Sequence, residues 1–233
     1  MSSRLVVFIA LAGLLAALFA RLGVWQLDRL GERRAVNARV AARFDLPVAD
    51  VADLAGDSSF RRVTIAGVPD HAHEILYTGR SRHGSPGVHI LTPIRRADND
   101  TAVLINRGWV YSPDAASADL PRWREDRSRY SGFVMPLGAP PTRQVTGRRV
   151  RGLSHDALQA LLPYPVARVI VVAEDSAGQE APVRLDRPAL DDGPHLSYAV
   201  QWFSFAAIAV VGAGIVAARS RQARRGSGSA MDA

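Results

Sequence analysis

His195-Leu196-Ser197-Tyr198-Ala199-Val200-Gln201-Trp202-Phe203 joins a segment rich in Asp and Pro to a run, Ser197–Ala218, that contains no Asp, Glu, Lys or Arg. At about 1.5 Å of rise per residue, a helix over that run is long enough to cross a hydrocarbon core of about 30 Å. The His, Tyr, Gln and Trp at its start have apolar bodies and polar tips, which suits the level of the lipid headgroups. The stretch therefore predicts a transmembrane helix over residues 197–218.

The first residues of this stretch allow two interpretations. On a helix, His195, Tyr198 or Ala199, and Trp202 fall near one face, at i, i+3 or i+4, and i+7. One interpretation is an aromatic belt that contains a histidine. The other is a ligand site at the outer end of a membrane helix, with the imidazole as the ligand. The residues by themselves leave both interpretations open.

A second apolar run lies near the start of the sequence. Leu5–Ala20 is uncharged, and Leu22–Trp25 extends it past Arg21, whose long side chain can reach the headgroups. We predict a transmembrane helix over residues 5–25. A cleaved signal peptide is the alternative, but the small-x-small cleavage pattern is missing where it would be expected. Both spans carry small-residue ridges that permit close helix packing in lipid. These are Ala12, Ala16 and Ala20 in the first span, and Ala209, Ala213 and Ala217 in the second.

The helical pattern continues beyond the first span. It runs to about Arg43 and is expected to stop before Pro47. Within it Gln26, Arg29 and Arg33 share a face at i, i+3 and i+7. A solvated polar face is the simplest interpretation of that pattern.

The positive charge lies mainly beside the two spans. The formal net charge is +7, and all 29 basic residues are Arg. An excess placed in this way favours anionic membrane lipids as partners and argues against nucleic acid. The second span is followed directly by Arg219, Arg221, Arg224 and Arg225.

This C-terminal arginine cluster predicts the topology. Cytoplasmic flanks of membrane spans are enriched in Arg, so the tail over residues 219–233 is expected to be cytoplasmic and basic. Two spans place both termini on one side. We therefore predict a multi-pass protein of the cell membrane, with both termini cytoplasmic and an extracytoplasmic main domain over residues 26–194. The arginines after the first span point the other way, and the C-terminal cluster is given more weight.

The middle of the chain shows the period of β-strands. Short apolar or alternating runs are separated by turn residues, and one short helix over Ser154–Leu162 has Ser154 as its N-cap. The runs Val88–Arg95 and Thr101–Tyr111 flank a turn near Asn99 and predict a β-hairpin. The fold class is therefore α+β, with an antiparallel, β-rich domain that is partly closed into a barrel. The other predicted strands are Arg61–Val68, Glu74–Gly79, Arg129–Met135 and Val166–Ala173.

Catalytic motifs are missing from the sequence, so an enzyme is not expected. There is no cysteine or lysine, and no GxSxG, HExxH, GxGxxG or P-loop pattern. Ser154-His155-Asp156 contains the residue types of a catalytic triad, but consecutive side chains cannot converge. His71-Ala72-His73 with Asp70 or Glu74 has the residue types of a metal site, although a turn is the favoured interpretation. No catalytic residue is proposed.

One strand carries large polar groups. In Asn106-Arg107-Gly108-Trp109 the glycine predicts a bulge or a close backbone approach, and Arg107 and Trp109 are suited to recognition. The simpler alternative is that Arg107 pairs with an acid and Trp109 caps the domain core.

Four segments in this order resemble the Surfeit locus protein 1 family, the assembly factors of cytochrome c oxidase. They are Leu22–Arg29, which includes Gln26, then Gly84–Pro93, which includes Gly87, then Val103–Val110 with the Asn106–Trp109 motif, and His195–Phe203. The order of two spans around a large domain is also that of the family. The resemblance makes Gln26, Gly87, Asn106, Arg107, Gly108 and Trp109 candidate partner-binding or structural residues.

The resemblance implies a non-enzymatic role in building the haem-containing subunit of a terminal oxidase. It implies haem a as a transient ligand, which makes the protein a haem chaperone, and His195 occupies the position of the family's proposed haem ligand. A haem needs an axial imidazole, an apolar slot and cations for its propionates. We expect Trp25, Tyr198 and Trp202 to line the slot and Arg29 to contact a propionate. The haem iron at His195 is then the one metal expected.

The partners implied are the catalytic subunit of the terminal oxidase, the enzymes that make haem a, and membrane lipids. The alternative hypothesis is a membrane-anchored β domain that acts only through protein–protein contacts, without haem, and in which His195 is merely interfacial.

Overall fold

The computed structural model describes residues 3–125, 127–138, 145–175, 178 and 181–229, except for the side chains of residues 223–229. The chain forms two compact units. The first, called the helical unit, comprises Met1–Arg39 and Leu190–Ala233. The second, called the sheet unit, is Val40–Ala189.

Two long helices carry the apolar runs, and each is long and apolar enough to cross a membrane. They are α1 (Ser3–Asp45) and α3 (His195–Ser229). Their most apolar windows have mean hydropathies of 2.5 and 1.9, with only 11% and 6% of those residues buried. Core helices of a soluble domain would be mostly buried, so the outward apolar surface fits lipid. Both predicted spans lie inside these helices, and α1 ends at Asp45, close to the predicted stop.

Small and aromatic residues pack the two helices of the helical unit against each other. Ala16 and Ala199 are buried, and the ring of Phe203 lies against Gly23, where a Cβ would come within 2.8 Å of it. Phe19 stacks on Trp202 with ring centroids 5.7 Å apart. Five of the six predicted ridge alanines are half-buried, and the sixth is Ala16 itself. The contacts between the helices are thus made by aromatic rings and by Ala16 and Ala199, and the close approach along the full ridges stays a prediction.

The sheet unit is built on a ten-stranded sheet over the described residues. Its strands pair in the order β1-β2-β7-β10-β6-β5-β4-β9-β8, and β3 pairs with β5. The strands are β1 (Ala49–Asp50), β2 (Arg62–Ala66), β3 (Val68–Pro69), β4 (Ile75–Arg82), β5 (Ser85–Arg95), β6 (Ala102–Tyr111), β7 (Arg129–Pro136), β8 (Val145–Thr146), β9 (Arg149–Val150) and β10 (Val166–Ala173).

The α+β class is confirmed, but the sheet differs from the prediction in two ways. It is mixed, because β1 with β2, β10 with β6, and β4 with β9 pair in parallel. Within the described part of the chain it also stays open, since its end strands β1 and β8 are not paired with each other. End strands of two residues offer too few hydrogen bonds to close a barrel. The predicted barrel is therefore wrong.

Both faces of the central strands are covered, which explains their continuous apolar sequence. On β10, Val171 and Ala173 belong to one core cluster and Ile170 to another, the latter completed by Leu158 and Leu162 at α2 (His155–Gln159). A third cluster joins Val40 and Phe44 at the end of α1 to Phe133 and Val172. An alternation of apolar and polar residues does not mark strands of this kind, because neither face of the sheet is solvated.

Two local predictions are confirmed by the structure. Strands β5 and β6 pair antiparallel, with Val88 opposite Val110 and Ile94 opposite Val103. The side chain of Ser154 caps α2, where its Oγ accepts a hydrogen bond from the backbone N–H of Ala157 at 3.3 Å. The helix itself is shorter than predicted.

Candidate functional site

The start of α3 is shaped by the segment that precedes it. Gly193 has φ +64°, a left-handed conformation that suits glycine, and its N–H donates to Oδ1 of Asp191 at 3.0 Å. The carbonyl of Pro194 then accepts bonds from the N–H of Tyr198 at 3.1 Å and the hydroxyl of Ser197 at 2.8 Å. Because proline has no backbone N–H to donate, the helix does not extend to the N-terminal side of Pro194, and α3 begins at His195.

His195 meets α1 through one hydrogen bond. Its Nδ1 lies 2.9 Å from Oε1 of Gln26. Gln26 is 9% exposed and is held between the helices, in the same stripe as Gly23 and Leu30. Because an amide oxygen only accepts, the imidazole in this arrangement donates from Nδ1. His195 is thus oriented by a residue 169 positions away in the sequence.

A polar clamp holds the same segment about two to three turns further along α1. Nε of Arg33 and Nδ2 of Asn37 donate to the backbone oxygen of Asp191 at 3.2 Å and 2.8 Å. Arg34 donates to Oδ2 of Asp192 at 2.6 Å and 3.0 Å. This hydrogen bond lowers the pKa of Asp192, and the charge of Arg34 lowers it further. We call Arg33, Arg34, Asn37, Asp191 and Asp192 the clamp.

The other imidazole nitrogen of His195 is open to a ligand. Within the described residues Nε2 makes no hydrogen bond of its own. A Cβ on Gly193 would lie 3.7 Å from Nε2 and 3.5 Å from Cδ2, so the absence of a side chain keeps that edge clear. A neutral imidazole with one nitrogen bonded and the other free is the donor that haem iron takes. Nε2 of His195 is therefore suited to serve as an axial ligand of haem iron.

The remaining predicted site residues do not all converge. Trp202 packs on Phe19, and it also meets Phe205 edge to face at 5.9 Å. Trp25 and Tyr198 are 52% and 46% exposed, and neither is in a ring pair among the described residues. Their free surfaces remain available to a planar ligand at the outside of the helix pair. Among the described residues, the aromatic ring pairs do not link Trp25, Tyr198 and Trp202 to one another, and the slot stays a prediction.

Arg29 lies on an exposed part of α1. Its guanidinium pairs with Glu32 one turn along the helix, and both side chains are more than half exposed. Such a pair contributes little stability, so the guanidinium can exchange Glu32 for another anion at small cost.

In the sheet unit, Arg107 is fully buried inside a polar cluster. Its Nη2 donates to Oε1 of Glu74 at 2.6 Å, and its Nε donates to Oγ1 of Thr92 at 2.7 Å. Thr92 donates in turn to Glu74 at 2.7 Å. Nη1 reaches the backbone oxygen of Trp123 and lies 3.4 Å from Glu125. The side chain thus pairs with acids and is enclosed by the domain.

Glu125 links this cluster to a second arginine. Arg184 donates to its two carboxylate oxygens at 3.0 Å and 2.7 Å. Burial alone would raise the pKa of Glu125, but the hydrogen bond from Arg184 and the charges of Arg184, Arg107 and Arg127 outweigh it and lower the pKa. Burial raises the pKa of the neighbouring Tyr130 to about 12, with the charge of Glu125 adding to the rise. The carboxylate of Glu125 is therefore ionised at neutral pH.

Gly108 bends β6 where the strand meets a later segment. It has φ +127°, and a Cβ there would lie 2.3 Å from the backbone oxygen of Val183. Trp109 pairs with Val183 through two backbone bonds of 2.8 Å. The ladder shifts register opposite Ile90 and Leu91. The bulge and close approach predicted from this glycine are both confirmed.

Gly87 and Asn106 complete the motif around the same strand. A Cβ on Gly87 would fall 2.2 Å from Nε1 of Trp109, so the indole lies directly over the glycine. The amide of Asn106 contacts Nδ1 of His89 at 3.2 Å, while its oxygen accepts from the N–H of Gly108 at 3.1 Å. Burial lowers the pKa of His89 to about 4, and the charge of Arg80 adds to this. An imidazole kept neutral in this way can accept the amide hydrogen.

The two histidines after Pro69 lie in a 3₁₀ turn, His71–His73, as favoured from the sequence. His71 contacts Glu74 at 3.0 Å and His73 contacts Asp70 at 2.8 Å, each through Nδ1. Among the described residues no group of three or more His, Cys, Asp or Glu side chains is placed to hold a metal ion.

Sequence reasoning missed the clamp and Gly193. The Asp-Asp-Gly-Pro segment before α3 and the Arg pair on α1 were visible as charges. The sequence did not show that these two groups pair, because 158 residues separate Arg34 from Asp192. A search for opposite charges flanking the two spans would have proposed it.

Comparison with known proteins gives a consistent result. A family model described as SURF1 family matches residues 13–207. A SURF1-like protein of Mycobacterium tuberculosis is 27% identical over 224 residues, which cover 89% of this chain and 80% of that protein. A SURF1-like protein of Rickettsia bellii is 25% identical over 202 residues, with 82% of each chain covered. The cytochrome oxidase assembly protein SHY1 of Saccharomyces cerevisiae is 31% identical over 94 residues, 38% of this chain and 24% of that protein.

Proposed function

The chain belongs to the SURF1 family, and on that premise we propose that it is a membrane-anchored, non-enzymatic assembly factor for cytochrome oxidase. The similarity to a yeast protein named for oxidase assembly supports this role. Two helices with outward apolar surfaces support action at a membrane. The partners follow from the role: components of the oxidase, first among them its catalytic subunit, and the enzymes that supply its haem a.

The more specific proposal is that His195 binds haem a during transfer to the oxidase. The observation that carries it is the orientation of the imidazole, with Nδ1 on Gln26 and Nε2 free. Haem a is cargo in this role, and its iron offers an open axial position to a neutral imidazole. The chain holds the imidazole in place, presents apolar ring surface beside it, and supplies a cation near the headgroups.

Trp25, Tyr198 and Arg29 are proposed to contact the cargo from the outside of the helix pair. The exposed ring faces of Trp25 and Tyr198 offer apolar surface, and Arg29 offers its guanidinium to a propionate. Trp202 is assigned a different part: its stack on Phe19 keeps the helices together below His195. A shallow surface of this kind suits a ligand that must leave again.

We also propose that the sheet unit lies outside the cytoplasm, with both termini inside. The arginines after the second span support this orientation. A carrier oriented in this way presents His195 at the outer face of the membrane, beside the sheet unit's compartment.

Absorption spectra of the full-length protein test the haem proposal. The chain is purified in detergent from cells that make haem a, as wild type and as His195→Ala. His83→Asn is the matched control, since His83 is an exposed histidine at a turn. We expect a haem band in the wild type and control, and its loss in His195→Ala without loss of folded protein. A band that is unchanged in His195→Ala contradicts His195 as the ligand.

One observation favours the alternative of action through protein contacts alone. Trp202 was expected to line the haem slot, but its ring packs against the rings of Phe19 and Phe205. If the wild type carries no haem yet restores oxidase assembly in a deletion strain, and His195→Ala restores it equally, the alternative is the function.

A further inference from the structure

We propose that Gln26 is a positioning residue for His195, which fixes the imidazole as the tautomer with its proton on Nδ1 and its lone pair on Nε2. This inference rests on the proposed haem binding and deepens it. It assigns a task to a buried polar residue in a membrane helix, where such a residue needs a partner.

The geometry of the pair supports this assignment. The distance of 2.9 Å from Nδ1 to Oε1 is that of a normal N–H···O bond. With the amide oxygen facing the ring, the hydrogen bond requires the proton on Nδ1, and in the neutral ring Nε2 then carries the lone pair. Histidines that ligate metals donate the opposite N–H to an oxygen in the same way, which raises the basicity of the ligand and holds the ring.

A further contact keeps the pair in register. Gln26 and Arg33 lie on one stripe of α1, at i and i+7, and Arg33 holds the backbone oxygen of Asp191. The segment that carries His195 is therefore fixed to α1 at two separate heights. The ring cannot turn about its bonds without losing the hydrogen bond to Gln26, because the backbone beneath it is held by the clamp.

The open side of the ring agrees with the tautomer. Gly193 places no Cβ beside Nε2, and the nearest position for one lies 3.7 Å away. The nitrogen that Gln26 leaves unprotonated is thus the one that makes no hydrogen bond among the described residues. The other tautomer, with its proton on Nε2, would direct the Nδ1 lone pair at the amide oxygen of Gln26 and lose the hydrogen bond.

Two substitutions separate a hydrogen-bonding role from a packing role. Gln26→Glu keeps an acceptor of the same length but cannot donate when ionised, whereas Gln26→Leu fills similar space with neither property. Gln201→Leu is the matched control, because Gln201 is an exposed glutamine in the same stretch as His195. All are made in the full-length chain, and haem b added as haemin is the probe.

Affinity and reduction potential of the bound haem are measured for each variant. We expect Gln26→Leu to weaken binding about ten- to a hundredfold, the usual effect of removing the oxygen behind a ligating histidine. Gln26→Glu should retain binding and lower the reduction potential, since a carboxylate makes the imidazole a stronger donor. The control should match the wild type in both quantities.

A readout without haem is provided by ¹⁵N-histidine NMR, with the His195 signals assigned by their loss in His195→Ala. We expect the proton on Nδ1 in the wild type and in Gln26→Glu, and a mixture of tautomers in Gln26→Leu.

The outcomes separate this inference from the proposed function. If His195→Ala abolishes binding while Gln26→Leu matches the wild type in affinity and potential, His195 remains the ligand and Gln26 has no positioning role. Equal losses in Gln26→Leu and Gln26→Glu, with the Nδ1 proton unchanged in both, overturn the hydrogen-bonding role in favour of packing. If the wild type binds no haem, both proposals fall.

Discussion

Arg107 and Glu74 form an ion pair of 2.6 Å in which neither side chain has any exposed surface. Thr92 donates a hydrogen bond to Oε1 of Glu74, and Arg107 also lies 3.4 Å from Glu125, while Oε2 of Glu74 is buried without a hydrogen-bond partner. Buried pairs of this kind are costly to break from one side, because the remaining charge has no solvent.

We expect Arg107→Met to destabilise the sheet unit by about 3–5 kcal/mol, since it leaves Glu74 buried without its partner. Thermal and denaturant unfolding of the full chain in detergent measure this. Asp98→Asn is the control, because Asp98 is 61% exposed in its pair with Arg96 and should cost less than about 1 kcal/mol. Equal losses of unfolding free energy in the two variants would show that the buried pair contributes no more to stability than the exposed one. Restored stability in Arg107→Met with Glu74→Gln would support the buried-charge explanation.

Helix packing in the helical unit should depend on Gly23. A side chain there meets the ring of Phe203, whereas Gly13 on the same helix has no atom within 4 Å of its Cβ position. We expect Gly23→Val to cost about 1–3 kcal/mol through overpacking, and Gly13→Val to cost much less. The loss of helical circular dichroism on heating, compared between the two variants, measures the difference. A larger loss for Gly13→Val would contradict the observed packing.

The sheet unit should lose stability in mildly acidic solution because of His89. Burial holds the pKa of His89 at about 4, whereas an unfolded histidine titrates near 6.5. Between these values the unfolded chain binds more protons, so this contribution is fully present above about pH 6.5 and is lost as the pH falls toward 4. The slope amounts to at most about 1.4 kcal/mol per pH unit.

Unfolding midpoints at pH 7 and pH 5 test this dependence. In His89→Asn the difference between the two pH values should shrink, because the group that takes up the proton has gone. His83→Asn serves as the control, since it removes an exposed histidine from the same unit. An undiminished difference in His89→Asn would assign the pH dependence to other groups.

Topology is tested by labelling single cysteines in intact cells. The natural chain has none, so Ala55→Cys and a cysteine added at the C-terminus each give one reactive site. Ala55 is exposed in the sheet unit. We expect a membrane-impermeant thiol reagent to label Cys at position 55 from outside, and the C-terminal one only after lysis. The reverse pattern would place the sheet unit in the cytoplasm.

Elements with a local signal could be predicted from the sequence. Strand β10 occupies the predicted residues Val166–Ala173, because a run rich in β-branched residues favours a strand. The hairpin of β5 and β6 followed from two runs around one turn. The two long helices followed from uncharged runs of membrane length. In each case the information lies within a few dozen residues.

The order of the strands could not be predicted in this way. Strand β10 lies between β7 and β6, and it is parallel to one and antiparallel to the other. An apolar run does not show whether a strand pairs parallel or antiparallel with its neighbours. The sheet was predicted to be antiparallel because antiparallel pairs are the more common, not because the sequence required it. The two-residue strands β1, β3, β8 and β9 are too short to leave a periodic signal.

The candidate site was predicted in its residue types but not in its contacts. His195 was predicted as a ligand from the start of the second helix, and Gln26 as a motif residue from the end of the first span, each without reference to the other. That they meet depends on the rotation of two helices about their axes, which is set by Gly23, Phe203 and the alanines between them. The same rotation directs Trp202 toward Phe19, which a helical wheel of α3 alone could not show.

The separation of 169 residues between Gln26 and His195 has a consequence for biosynthesis. Gln26 leaves the ribosome early, and at about 5–20 residues per second its partner follows roughly ten to thirty seconds later. The whole sheet unit, Val40–Ala189, is synthesised in that interval. A truncated or still-attached chain can therefore complete its sheet yet has no oriented His195. The pairing of the two helices therefore makes the orientation of the His195 imidazole a property of the finished chain.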